Sequence, residues 1–457
     1  MTVYDPFGKL PPEIRLQVLT YTRCKSTILR LIEASPTMPQ QYCVHKKYIT
    51  RQVLAAEFND QMIQDAMAVL LFPPLQHSGR EAQGRLRSEP IDLHISAWGR
   101  SQPPDPLKDK DDHLLDQLNK LHNRILFLAE DYITKATSTI PSWAHVFLPD
   151  IRQSSAEGCL IFKGAKITAR FNFANLTSLE RKRFVKAFLK YELLCQANNT
   201  LYTPNHLPKR KVSNAEWEAV GCIHRYLCSL YGALFAQCTD AELSSLSTDL
   251  RFPDTFYFDA NRHTPKLGLD FTDPPERRQD PEFELRPSWP SDKYRDCASY
   301  FSILGLDYLT KFLHYDMSEP NGRDHLRVQF QNTWSNNCRF GDEGWKAHLW
   351  GLFQNERDKH ECDSFMYKEP SLSPSRPWYE VQHWSRMEKL RYKIGQQRAW
   401  VFFDDNYFYP QETSERPNFP SADFLEYQPR REYIRQFSDD YRRGLHPWQR
   451  TNNIKEA

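Results

Sequence analysis

Asp404 and Asp405 stand side by side in the run VFFDDNYF, an acid pair flanked by aromatic side chains. Apolar surroundings raise a carboxyl pKa toward the range in which it can act as a general acid or base, so this is the most suggestive acidic position in the chain. Adjacent carboxylates also cap turns, and that reading is preferred here. Cys222, His224 and Cys228 fall on one expected helix, at about 0°, 200° and 240° around its axis. The three do not share a face, so they cannot close a tetrahedral metal site unaided. His360, Glu361 and Cys362 are contiguous and project in different directions. Both sets read as ordinary buried cysteines and surface histidines. Asp109, Asp111 and Asp112 resemble the opening of a calcium loop, but its glycine and distal glutamate are missing. They read as solvated linker aspartates.

Familiar catalytic signatures are absent: the chain has no GxGxxG, GxxxxGK[ST], GxSxG or HExxH. Composition points the same way. Only 16 glycines stand against 31 prolines in 457 residues, too few for a fold built around phosphate-cradling glycine loops. The formal net charge of +2 argues against bulk nucleic-acid binding. Aromatics reach 13 %, with 28 Phe, 22 Tyr and 11 Trp, in an otherwise soluble, folding composition. No span approaches the roughly 18 apolar residues of a membrane helix. Met1 to Leu10, with Asp5 and Pro6, does not read as a signal peptide. The ten cysteines contain no CxxC and are expected to be mostly buried free thiols of an intracellular protein.

The elements that must position these residues are mainly helices. Pro11-Pro12 opens the first, where proline's missing N–H costs nothing. Ile14, Val18 and Tyr21 form one apolar stripe on it, and Leu16 with Leu19 lies nearly opposite, so this short helix needs two partners. Ser26 is positioned to cap a second helix carrying Ile28, Leu29, Leu31 and Ile32, which stops at Ser35-Pro36. A third starts there, and a fourth follows through Val44, Tyr48, Ile49, Val53 and Leu54. Residues 73–112 are rich in Pro, Gly and charge and read as a flexible linker, in which only Ile91 to Trp98 is expected to pack.

Three long helices come next. Leu114, Leu118, Leu121, Ile125, Leu128 and Tyr132 repeat at helical spacing. Thr177-x-x-Glu180 and Ser213-x-x-Glu216 have capping-box spacing and open the second and third. Between the first two, GCLIFKGAKITARFNF reads as a small hairpin. Shorter helices are expected around Ser299–Tyr315, Gly344–Phe353 and His383–Gln396, and an extended tail over 410–457. Of the basic runs, Lys209-Arg210-Lys211 after Pro208 has the form of a weak nuclear-import signal, although a solvated loop explains it as well. Arg181-Lys182-Arg183 is expected on the outer face of its helix.

The N-terminal segment carries more. Leu10-Pro11 is followed by Glu13-Ile14 and Val18-Leu19, then by the apolar helix Ile28 to Ile32 and the Ser35-Pro36 break. In this order and spacing, residues 5–55 resemble an F-box motif. More weakly, LTSLERKRFVKAFLKYELLCQ, EWEAVGCIHRYLCSLYGALF and QQRAWVFFDD resemble recurring segments of fungal F-box proteins of unassigned substrate. The resemblance implies a helical module that docks on the Skp linker subunit and, through it, a cullin–RING ubiquitin ligase. It implies that Leu10, Pro11, Ile14 and Leu19 face or support that interface, beside Val18, with Glu13 a polar rim contact. The sequence departs from the pattern in one respect: many F-box motifs carry a Trp near their end, whereas the first Trp here is Trp98, leaving Tyr42 or Tyr48 for that place.

The expected architecture is mostly α with at most minor β. An F-box-like module (5–58), a linker (73–112), an aromatic-rich helical domain (113–409) and a tail (410–457) follow in order. The expected function is substrate adaptor of a Skp–cullin–F-box ligase, with an interaction module acting outside a ligase as the alternative. No enzyme activity, cofactor, metal, nucleic acid or membrane partner is expected. The target protein is left unnamed, and the place of action is cytoplasmic or nuclear.

Overall fold

A computed structural model describes residues 5–22, 25–73, 88–149, 159–162, 165–199, 210–239, 256–260, 297–315, 319–337, 353–356, 364–368, 385–414 and 417–427. Helices dominate it, as expected. The N-terminal part consists of α1 (Pro12–Tyr21), α2 (Lys25–Ala34) and α3 (Met38–Glu57). The two helices expected after Ser35-Pro36 are the two halves of α3, which meet at a kink at His45, whose φ of −109° and ψ of 15° leave the helical region. Leu19, Ile28, Met38 and Ile49 form a small core of their own, with Phe7, Leu16, Val18 and Tyr42 packed around it. Asp5 fastens the start of the chain to the α2–α3 turn, its carboxylate accepting from Ser35 and Thr37 hydroxyls, each at 2.9 Å.

The remaining helices are α4 (Asp60–Leu70), α5 (Ser88–Gly99), α6 (Asp112–Ala136), α7 (Pro141–Ala144), α8 (Ser178–Asn199), α9 (Asn214–Thr239), α10 (Cys297–Ser302), α11 (Leu306–Leu313), α12 (Pro320–Asn337), α13 (Phe365–Lys368) and α14 (Arg386–Gln397). The large core gathers α4, α6, α8, α9 and the aromatic run after α14. Along α6, Leu118, Leu121, Ile125, Leu128 and Tyr132 are buried as their spacing requires, while Leu115 takes the place expected for Leu114. α9 is central: it meets α8, α10, α12 and α14. Phe402 stacks on Phe184 with ring centroids 3.9 Å apart, and Tyr132 on Tyr226 at 4.5 Å, so the aromatic surplus is spent chiefly inside.

Two small sheets complete the fold. β1 (Cys159–Phe162) and β2 (Ala165–Ala169) form the expected antiparallel hairpin, with a bulge between Leu160 and Ile161. β3 (Arg210–Ser213) pairs in parallel with β4 (Phe353–Glu356), which sequence periodicity did not foretell. The helix expected over 344–353 lies mostly outside the described residues, and Phe353 is in β4. The helix expected over 299–315 is divided into α10 and α11 at Gly305, whose φ of +94° favours glycine.

The expected order of module, bridge and helical domain is redrawn. After residue 58 α4 begins at once and lies against α8, and Leu54 and Phe58 already belong to the large core. In the segment expected as a linker, Ile91, Ile95 and Trp98 of α5 are buried, as expected for that stretch, while 74–87 lie outside the described residues. The expected tail is partly built in: Leu425 packs with Phe256, Leu390 and Ile394.

Candidate partner-binding face

α1 is apolar on two sides, and the fold treats them differently. Pro12 occupies its first turn, and Gln41 of α3 donates to the Pro12 carbonyl at 3.1 Å, pinning the helix start against α3. On the inner side Leu19 is 0 % exposed in the small core, and Leu16 packs beside it. On the outer side Ile14 is 40 % and Tyr21 73 % exposed, with Val18 between them half-buried. Leu10 is half-buried, and Pro11 and Glu13 are exposed. Of the six expected interface residues, Leu10, Pro11, Glu13 and Ile14 are therefore reachable from solvent, and Val18 partly so. Leu19 is wholly internal, so any part it plays in binding is to support the helix. Glu13 lies in the first turn of α1, where a negative charge meets the positive end of the helix dipole.

Further exposed apolar side chains are concentrated in the same module: Leu29 on α2, and Val44 and Tyr48 on α3. Tyr42 packs on the small core while Tyr48 faces solvent, so the two tyrosines considered for the missing Trp's place differ in setting. Singly exposed apolar residues are ordinary, and five of those described lie within this three-helix unit.

The other candidates resolve into structural roles. Asp404 accepts from Arg183 at 2.7 Å, its N–H donates to Glu180 at 3.0 Å, and Asp405 accepts from the Tyr407 N–H at 2.9 Å. The acid pair thus closes a turn and ties it to α8. Asp111 caps α6 by accepting from the His113 and Leu114 N–H groups, and Asp112 binds Lys47 and Arg51 of α3. Asp109 accepts from the Asp105 N–H. All three are exposed, as expected of solvated aspartates, and each also makes a local hydrogen bond or ion pair. Among the described residues no group of three or more His, Cys, Asp and Glu is placed to hold a metal. His360, Glu361 and Cys362 lie outside them.

On α9, Cys222 faces Glu218 while His224 and Cys228 turn the other way, as the spacing required. His224, however, is buried rather than at the surface. Its Nδ1 lies 3.1 Å from the hydroxyls of Tyr191 and Ser302, and its Nε2 lies 3.1 Å from Ser299. A serine–histidine contact is the geometry of nucleophile activation, but these side chains are sealed between α8, α9 and α10. Burial also pushes the Tyr191 phenol and the Cys195 and Cys222 thiols well up, which leaves them unreactive. Cys195, Cys222 and Cys238 are free thiols and buried, in line with expectation, Cys228 and Cys297 are buried as well, and Cys43 is exposed.

Both basic runs are corrected. Arg181 bonds Glu57 at 3.1 Å and Arg183 bonds Asp404, so two of the three side chains in that run reach inward from the surface. Arg210 lies over Trp98, 4.6 Å from the ring centroid, and pairs with buried Asp65 at 3.2 Å. An arginine held in this way is not offered to an import receptor. Lys209 lies outside the described residues. Among the described residues no helix is long and apolar enough to cross a membrane.

Comparison with models of protein families, with curated proteins and with solved structures finds no match for this chain.

Proposed function

We propose that this protein is a substrate-recognition adaptor of a Skp–cullin–F-box ubiquitin ligase, docking on the Skp-family subunit through residues 5–58. The observation that carries the reading is the division of α1: Leu19 closes the module's own core while Ile14 and Tyr21 on the other side stay open to solvent. An exposed apolar helix face laid into a partner's groove is a general mode of recognition, in which a few buried anchors carry most of the binding energy. Pro11 and Ile14 are such anchors in this reading, Leu10 and Val18 flank them, and Glu13 is a rim contact. An adaptor does no bond chemistry itself and needs no cofactor. It raises the effective concentration of target lysines near the ubiquitin-loaded enzyme.

The test is co-purification from cells of the tagged chain and of a Leu10→Ala/Pro11→Ala variant. Recovery of a Skp-family protein and a cullin with the unmutated chain, both lost in the variant, is the expected result. A Skp-family protein recovered without cullin points to an interaction module outside a ligase. Recovery of neither overturns the proposal.

A further inference from the structure

A cavity of about 280 Å³ opens where α8 passes the starts of α4 and α9. Lys182, Arg183, Lys186 and Lys190 line it from α8, and Glu216 is the single carboxylate among its lining residues. At these spacings the four cations share one helix face, and like charges one turn apart repel. The fold relieves this only in part. Glu216 is divided between Lys186, bonded to one oxygen, and Lys190, at 2.6 Å from the other. Arg183 is held by Asp404 outside the cavity lining. Lys182 has no hydrogen-bond or ion-pair partner among the described residues.

Two further features favour an anion here. Asn59 and Ser213, which cap the starts of α4 and α9 by accepting from the Met62 and Glu216 N–H groups, line the same space, so the positive ends of two helices border it. The four cations on this face of α8 are met by Glu216 and Asp404, so positive charge is in excess there. The floor is apolar, made by Met62, Ala187, Ala219 and Val401.

We infer that this cavity binds a phosphate monoester carried on a small apolar body. A dianion with three terminal oxygens can engage Lys182 and Lys186 together, whereas a single carboxylate would only duplicate Glu216. The volume accommodates the phosphate and a body of roughly ring size, at the small end of ligand pockets. The site is remote in sequence from α1 and does not rest on the docking proposal.

The experiment is calorimetric titration of the full chain with phenyl phosphate, inorganic phosphate, benzoate and phenol, at low and moderate salt. Phenyl phosphate should bind more tightly than inorganic phosphate or benzoate and weaken as salt rises, and phenol should not bind. Lys182→Ala, which removes an unpaired side chain and should leave melting unchanged, is expected to weaken phenyl phosphate about tenfold. Lys186→Gln should weaken it as well. A phosphoserine tripeptide and ribose 5-phosphate, titrated in parallel, distinguish a phosphorylated side chain from a free sugar phosphate as the source. No binding of phenyl phosphate, or equal affinity in the unmutated chain and both variants, overturns the inference. Equal affinity for phenyl phosphate and inorganic phosphate overturns the apolar-body part of it.

Discussion

Leu19 and Ile14 lie on one helix, and they should respond oppositely to truncation. Leu19→Ala empties part of a core built from only a few side chains and should cost about 2–5 kcal/mol. Ile14→Ala, at an exposed position, should change stability by about 0.5 kcal/mol or less. Urea titrations followed by circular dichroism check both, and similar losses would mean that α1 does not have the two-sided role described. Glu218 makes a second prediction. Burial raises its pKa to about 7, against the opposing hydrogen bonds from Tyr392, Trp400, Gln396 and Cys222. The folded protein thus keeps a proton that the unfolded chain releases. The stabilisation is complete below the ordinary glutamate value of 4.5 and disappears as pH rises through about 7. Its size is about 3 kcal/mol by the shift. His145 acts oppositely: burial and the Lys135 charge push it down to about 3, so its contribution is lost as pH falls below the usual 6.5. That term is common to the unmutated chain and Glu218→Gln. The difference between their unfolding free energies should therefore change by about 3 kcal/mol between pH 4.5 and 7.5. A constant difference would contradict the buried, neutral Glu218.

Elements differ in how far local sequence determined them. α6, α8 and α9 were legible because their apolar periodicity is long and their caps are local. Thr177 and Glu180 form the full reciprocal box, at 2.8 and 3.2 Å. The matching pair before α9 is half-made: Glu216 donates its N–H to Ser213 at 3.2 Å, but its carboxylate is drawn away to Lys186 and Lys190. Such a tertiary demand leaves no mark in the spacing. α4, in which Met62, Ile63, Ala66, Met67 and Val69 are buried, was passed over although its apolar side chains are one-sided. The β3–β4 pairing depends on residues far apart in the chain. The candidate face was legible in the two stripes of α1, whereas the basic cavity needed α4 and α9 to be brought to α8. At this scale Gly395 supports a test. A methyl group there would overlap the Trp400 indole, which packs on the last turn of α14. Gly395→Ala should cost about 1–3 kcal/mol and alter the near-ultraviolet signal of the tryptophans. Unchanged melting would show that Trp400 has room to yield.

Across the whole molecule, the N-terminal module is joined to the helical body without a tether. α3 runs from the small core into the large one, with Leu54 and Phe58 buried in the latter. Arg181 meets Glu57, and Asp112 meets Lys47 and Arg51, across the same junction. The exposed pairs of Asp112 add little, and the shared apolar burial supplies most of the hold. A partner docked on α1 would therefore keep a fixed orientation toward the body, as an adaptor that presents a target requires. Direct binding is the sharpest test of this account. The purified full chain and its Ile14→Asp variant are each mixed with a purified Skp-family subunit at about 10 μM and examined by size exclusion with light scattering. The account predicts a one-to-one complex with the unmutated chain, and its loss in the variant with melting unchanged. An unmutated chain that elutes apart from the Skp-family subunit would contradict it.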